Sequence, residues 1–119
     1  GLVAAWNEGA SADEVATFYA DDVVVETSPN RPLPGGSTMD IDGLHAARRT
    51  AQERWSEEHY DLRGATGGGG IVAMEFLWTG SSRTEHPPFA AGERVKGRVA
   101  MFLHFRDGLI VRQRNYVCV

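Results

Sequence analysis

A single cysteine, Cys118, in 119 residues leaves no partner for an internal disulfide and excludes a cysteine-rich metal site. Free cysteine mostly behaves as a small hydrophobe, so a buried, inert thiol is expected there. The histidines His45, His59, His86 and His104 are never spaced like a pair of ligands on one element, so no metal is expected. The glycine run Gly67 to Gly70 lacks the Lys-Ser/Thr that completes a phosphate loop, and it reads as a hairpin turn. No cofactor is expected. Basic residues never run longer than two and the formal net charge is -4, which argues against nucleic acid as a partner. No apolar run approaches the roughly 20 residues that span a bilayer, and no tripartite leader opens the sequence. A cytoplasmic protein without a membrane partner is therefore the expectation.

What is present is ordinary globular composition, 42% hydrophobic and 24% charged. That suffices for one core, and so for one domain over residues 1–119. Leu2 to Asn7 followed by Glu8-Gly9 predicts the end of a helix stopped by glycine. Ser11-Ala-Asp-Glu14 is a capping box that opens a second helix, predicted to reach Ala20 with Val15, Phe18 and Tyr19 on its apolar face. Val23 to Thr27 predicts a strand. Prolines and glycines from Ser28 to Gly43 predict a long loop and candidate lid. A third helix follows, capped by Asp40 or Asp42, with Leu44, Ala47, Ala51 and Trp55 on one face. Arg48, Arg49, Gln52, Glu53 and Glu57 are assigned to an opposite, solvated face.

From His59 onwards the pattern changes to period two. A short strand is predicted at 59–63, then strands over Ile71 to Thr79, Lys96 to Phe105 and from Leu109 to the end. Asp107-Gly108 supplies a tight hairpin turn between the last two. Helices first and long strands afterwards predict an α+β domain: a curved, cone-shaped antiparallel sheet wrapped around three N-terminal helices, with an apolar pocket inside.

Ala5-Trp6-Asn7-Glu8-Gly9, Phe18 to Glu26, Phe105 to Val111 and Asn115-Tyr116 together resemble the nuclear transport factor 2-like superfamily. That group contains ketosteroid isomerases, SnoaL-like polyketide cyclases and limonene-epoxide hydrolases. The resemblance implies a conical domain with a deep pocket, commonly paired as a homodimer through the outer sheet. At the positions of the isomerase base, oxyanion-hole acid and tyrosine, this chain carries Thr27, Met101 and Val3. The Arg-x-Asp of the hydrolases becomes Val99-Ala100-Met101, and the acid on the last strand becomes Asn115. An amide orients a carbonyl or hydroxyl but does not exchange protons near neutral pH.

The same resemblance turns Met74, Phe76, Trp78, Val99, Met101, Leu103, Gln113, Asn115 and Val117 into the cone, faced by Trp6, Tyr19, Thr27 and Trp55. Such an aromatic, methionine-bearing wall suits a hydrophobic small molecule. Asn115, Tyr19 and Thr27 are the candidate catalytic groups, with Glu26 and His59 as the titratable candidates; Glu75 and His104 take the outer face. Two functions follow. One is a SnoaL-like cyclase or isomerase of a bulky, polyketide- or terpenoid-like carbonyl compound, working by positioning and hydrogen bonding. The alternative is a non-catalytic small-molecule-binding or interaction protein on the same fold.

Overall fold

Local signals fix the helices of the computed structural model, which describes residues 2–119. Helix α1 (Leu2–Asn7) stops at Gly9, whose φ of +72° lies in the region that favours glycine. Helix α2 (Ala12–Ala16) opens with the capping box: the Glu14 N–H donates to Ser11 Oγ at 3.2 Å and the Ser11 N–H to Glu14 Oε1 at 3.4 Å. Helix α3 (Ile41–Arg54) is capped by Asp40, which accepts from the Gly43 N–H at 2.9 Å.

Several element ends differ from expectation. Helix α2 stops at Ala16, not Ala20, and strand β1 (Tyr19–Thr27) starts at Tyr19, not Val23. The Ile110 N–H donates to the Phe18 carbonyl at 3.0 Å and Tyr19 pairs with Ile110, so a long-range ladder outweighs another helical turn. The predicted loop holds β2 (Ser37–Met39), paired with β1. Trp55 does not close the face of α3; it begins β3 (Trp55–Gly68), which extends far beyond 59–63 because β4 (Ile71–Ser82) offers partners along its whole length. Strands β5 (Arg94–Arg106) and β6 (Leu109–Cys118) complete the fold.

The six strands form one curved, unclosed sheet in the order β2-β1-β6-β5-β4-β3. Gly69 and Gly70 (φ +60° and +79°) turn β3 into β4, and Asp107 and Gly108 (φ +53° and +79°) turn β5 into β6. Both are the paired positive-φ turns that match strand twist. The sheet is not wholly antiparallel: β1 runs parallel to β6. The reversals that precede β6 set its direction, whereas α3 frees β1 from that constraint.

Alternation along β5 sends Val99, Met101 and Leu103 toward the helices and Arg98, Phe102 and His104 to the other face. The core gathers Val15, Val23, Val25, Phe76, Met101, Leu103 and Ile110. Burying each of the larger side chains contributes about 2 kcal/mol. Cys118 is exposed, not buried, because it alternates with inward-facing Val117 at the end of β6. Among the described residues no helix is long and apolar enough to cross a membrane.

Candidate functional site

Between the helices and the concave face of the sheet lies a cavity of about 320 Å³. Trp6 enters from α1, Leu44, Ala47 and Ala51 from α3, and Phe76, Trp78, Val99, Met101 and Val117 from the sheet. The aromatic wall is packed edge to face: Trp55 and Trp78 meet at 4.7 Å between ring centroids and 87° between planes. Gly80 permits that contact, since a Cβ there would lie 2.7 Å from Trp78 Cζ2 and 3.3 Å from Trp55 Cε3. Two polar groups interrupt this apolar surface.

The first is a neutral chain along β6. Tyr19 Oη donates to Gln113 Oε1 at 2.5 Å, Gln113 Nε2 donates to Asn115 Oδ1 at 2.8 Å, and Asn115 Nδ2 donates to Thr27 Oγ1 at 3.3 Å. Every donor points the same way, from the buried Tyr19 to half-buried Thr27. Burial pushes the Tyr19 phenol well above its ordinary value against the opposing effect of the Gln113 hydrogen bond, so it remains a neutral donor. The chain leaves one Asn115 N–H and the Thr27 O–H free for a ligand.

The second is charged and spans α3, β3 and β4. Arg48, only 8% exposed, donates from Nε and Nη2 to the Ala10 carbonyl at 3.1 and 3.0 Å. Its Nη1 lies 3.9 Å from Glu58 Oε2, and Trp78 Nε1 donates to Glu58 Oε1 at 3.1 Å. Burial raises the Glu58 carboxyl above its ordinary value; the Trp78 N–H and the Arg48 charge pull the other way and offset this only in part. Burial also raises the Tyr60 phenol, and the nearby Glu58 carboxylate adds to the rise.

A bulge in β3 aims this cluster. Ser56 pairs with Ser81 and His59 with Thr79, so Glu57 and Glu58 together oppose Gly80 alone. Glu57 takes the extra position at a φ of +54°. Trp55 and Glu58, three residues apart, can thereby both line the cavity.

Of the residues predicted for the site, Trp6, Tyr19, Trp55, Phe76, Trp78, Val99, Met101, Gln113, Asn115 and Val117 line this one cavity. Thr27 is not on the cavity wall: it lines a separate surface groove and is tied to the cavity by its bond to Asn115, which lines both. Leu103 is buried in the core and Met74 packs against that core, and neither reaches the cavity wall. Glu26 instead accepts from Arg112 Nε at 3.1 Å and Nη2 at 2.9 Å, beside a separate surface groove. His59 is exposed in a groove of about 600 Å³ on the opposite face of the sheet, with Asp61, Arg98 and Cys118. Strand alternation puts it there, since Tyr60 next to it faces inward.

Arg48, Glu58 and Tyr60 were absent from that set. The predicted solvated face of α3 is wrong for Arg48, which follows Leu44 by four residues and precedes Ala51 by three, the spacing of a shared face. Glu58 and Tyr60 share inward parity along β3, a signal that a helix continuing past Trp55 obscures.

The family model described as SnoaL-like domain matches residues 1–113. Among solved structures, AclR, a candidate hydroxylase from Streptomyces galilaeus, superposes at a TM-score of 0.81 with 16% identity, covering 98% of this chain and 73% of that one. IdmH, a candidate polyketide cyclase from Streptomyces antibioticus, gives 0.80 with 20% identity over 98% and 86%. A candidate polyketide cyclase from Xanthomonas campestris gives 0.79 with 24% identity over 97% and 83%. At these identities the likeness establishes the fold alone. No curated protein matches the sequence.

Proposed function

Because the chain belongs to the SnoaL-like domain family, we propose that it is a cyclase or isomerase of a bulky, apolar carbonyl compound of polyketide or terpenoid type. The observation that carries this reading is the polarised chain Tyr19-Gln113-Asn115-Thr27 set in an aromatic wall. A carbonyl oxygen at its open end meets two fixed donors, the Asn115 amide and the Thr27 hydroxyl. Donors already in place strengthen their hold as negative charge develops on that oxygen, which lowers the barrier to an enolate-like state. The apolar wall meanwhile holds the carbon skeleton in a reactive shape.

The cavity, at about 320 Å³, is at the small end of the roughly 300–1,000 Å³ typical of ligand pockets. A bulky substrate extends into the adjoining groove of about 310 Å³, which shares Trp6, Arg48, Trp55 and Glu58 with it. The proposal includes a homodimer formed through the outer face of the sheet.

Native mass spectrometry of the protein purified from its own host tests both parts. A co-purifying carbonyl compound and a mass of twice the chain are expected. Turnover of that compound should fall in an Asn115→Ala, Thr27→Ala double variant. Full turnover in the double variant overturns the mechanism, and a bound compound that is never transformed favours a binding protein.

A further inference from the structure

We propose that Glu58 is the proton-transfer residue of this cavity, passing protons between bound substrate on one side and the solvent groove on the other. The inference rests on the cyclase or isomerase reading, which the neutral chain of β6 does not complete. Amides and hydroxyls orient a carbonyl, but moving a proton from carbon needs a group that titrates in the working range. Glu58 is the carboxyl that lines the cavity, and it also lines the groove between α1, α3 and the β3 bulge. It therefore touches both the compartment where a proton is taken and one from which it is returned.

Its surroundings suit that task. Trp78 Nε1 fixes one carboxylate oxygen at 3.1 Å, and Arg48 stands 3.9 Å from the other without closing a tight pair. The second oxygen is thus held loosely enough to take a proton. The charged and titratable groups around it are Arg48 from α3, Tyr60 on the same strand, Arg83 beyond β4, and Glu8 and Glu57 on the groove rim. Burial dominates over the Trp78 and Tyr60 hydrogen bonds and the two cations and raises the carboxyl, which makes its anion a stronger base than a solvated glutamate.

In the step itself, the Glu58 carboxylate takes a proton from carbon beside the carbonyl. The C–H electron pair moves into the new C=C bond, and charge collects on the oxygen held at Asn115 and Thr27. Return of the same proton to another carbon or to the oxygen completes an isomerisation in which nothing is oxidised or reduced.

Nitrobenzisoxazole tests this without the natural substrate. A base removes its ring C–H proton, the N–O bond breaks, and coloured cyanonitrophenolate is released. The wild-type chain should accelerate this, with a rate rising through a midpoint above the ordinary glutamate range. Glu58→Gln should lower it on the order of 100-fold, while Glu53→Gln, an exposed glutamate of α3 that lines neither the cavity nor the groove, leaves it unchanged. Carbon-13 titration of the folded wild-type chain should show one glutamate carboxyl with the same elevated midpoint, missing in Glu58→Gln. No acceleration by the wild-type chain, an equally fast Glu58→Gln, or glutamates that all titrate at ordinary values would each overturn the assignment. An active Glu58 in a protein that captures no carbonyl compound would sink the substrate reading and leave this assignment standing.

Discussion

The two polar groups facing one cavity are built on opposite physical plans. The β6 chain is neutral and continuous, its three internal hydrogen bonds all run in one direction, and its free donors lie at one end. The Arg48-Glu58-Trp78 cluster is charged and loosely closed, with its ion pair at 3.9 Å. A neutral hydrogen-bonded chain is a fixed recognition element whose state does not change with pH. A buried, loosely paired carboxyl is poised between two protonation states. The contrast teaches that orientation and proton transfer can be assigned to separate walls of one pocket.

The largest effect that should break this contrast is Arg48→Met. It removes the two Arg48 donors to the Ala10 carbonyl, leaving only Gln52 Nε2 at 3.1 Å there, and the cation beside Glu58. Stability should fall by about 3 kcal/mol in urea unfolding, and the Glu58 midpoint should rise further by carbon-13 titration. Next, Gln113→Leu strands the buried Tyr19 hydroxyl and should cost about 2 kcal/mol. A Tyr19→Phe, Gln113→Leu double variant should recover most of that loss, because neither partner is then left unsatisfied. Neither change should move the pH dependence, which is the sharpest distinction between the two walls. Gly80→Ala forces the Trp55-Trp78 contact apart and should lower stability by about 1.5 kcal/mol, visible as a lower Tm with weaker near-ultraviolet tryptophan dichroism.

The smallest expected effect is a slope. Glu58 has a folded-state value above its unfolded one, so the folded chain binds that proton more tightly. Its contribution is fully present below the unfolded value and declines as pH rises through the folded one. Wild-type stability should therefore decrease across that window, and Glu58→Gln should flatten the curve. An unchanged slope in the variant would mean that other groups set it.

Regular alternation made much of the β6 wall legible in the sequence. Val99, Met101, Gln113 and Asn115 sit on unbroken stretches of β5 and β6, where period two and the family resemblance agree. The helix starts at Ser11 and Asp40 and the Asp107-Gly108 turn were equally readable, because each depends on neighbours within a few residues. The other wall was not. Its members depend on where α3 stops and on one irregular residue in β3, and both are decided by pairing with β4 rather than by local preference. Tyr19 shows the same limit: local pattern puts it on a helix, yet its neighbour Phe18 accepts a bond from Ile110 at the far end of the chain.

The bulge at Glu57 makes strand register, alongside side-chain identity, a determinant of what the pocket can do. Trp55 and Glu58 are three residues apart, an odd spacing that strict alternation would send to opposite sides of the sheet, and the extra position at Glu57 is what lets the tryptophan and the carboxyl share one. A one-residue slip of β3 against β4 at this point would thus turn the acid out of the pocket without altering a single side chain, a change that comparing residue identities alone would overlook.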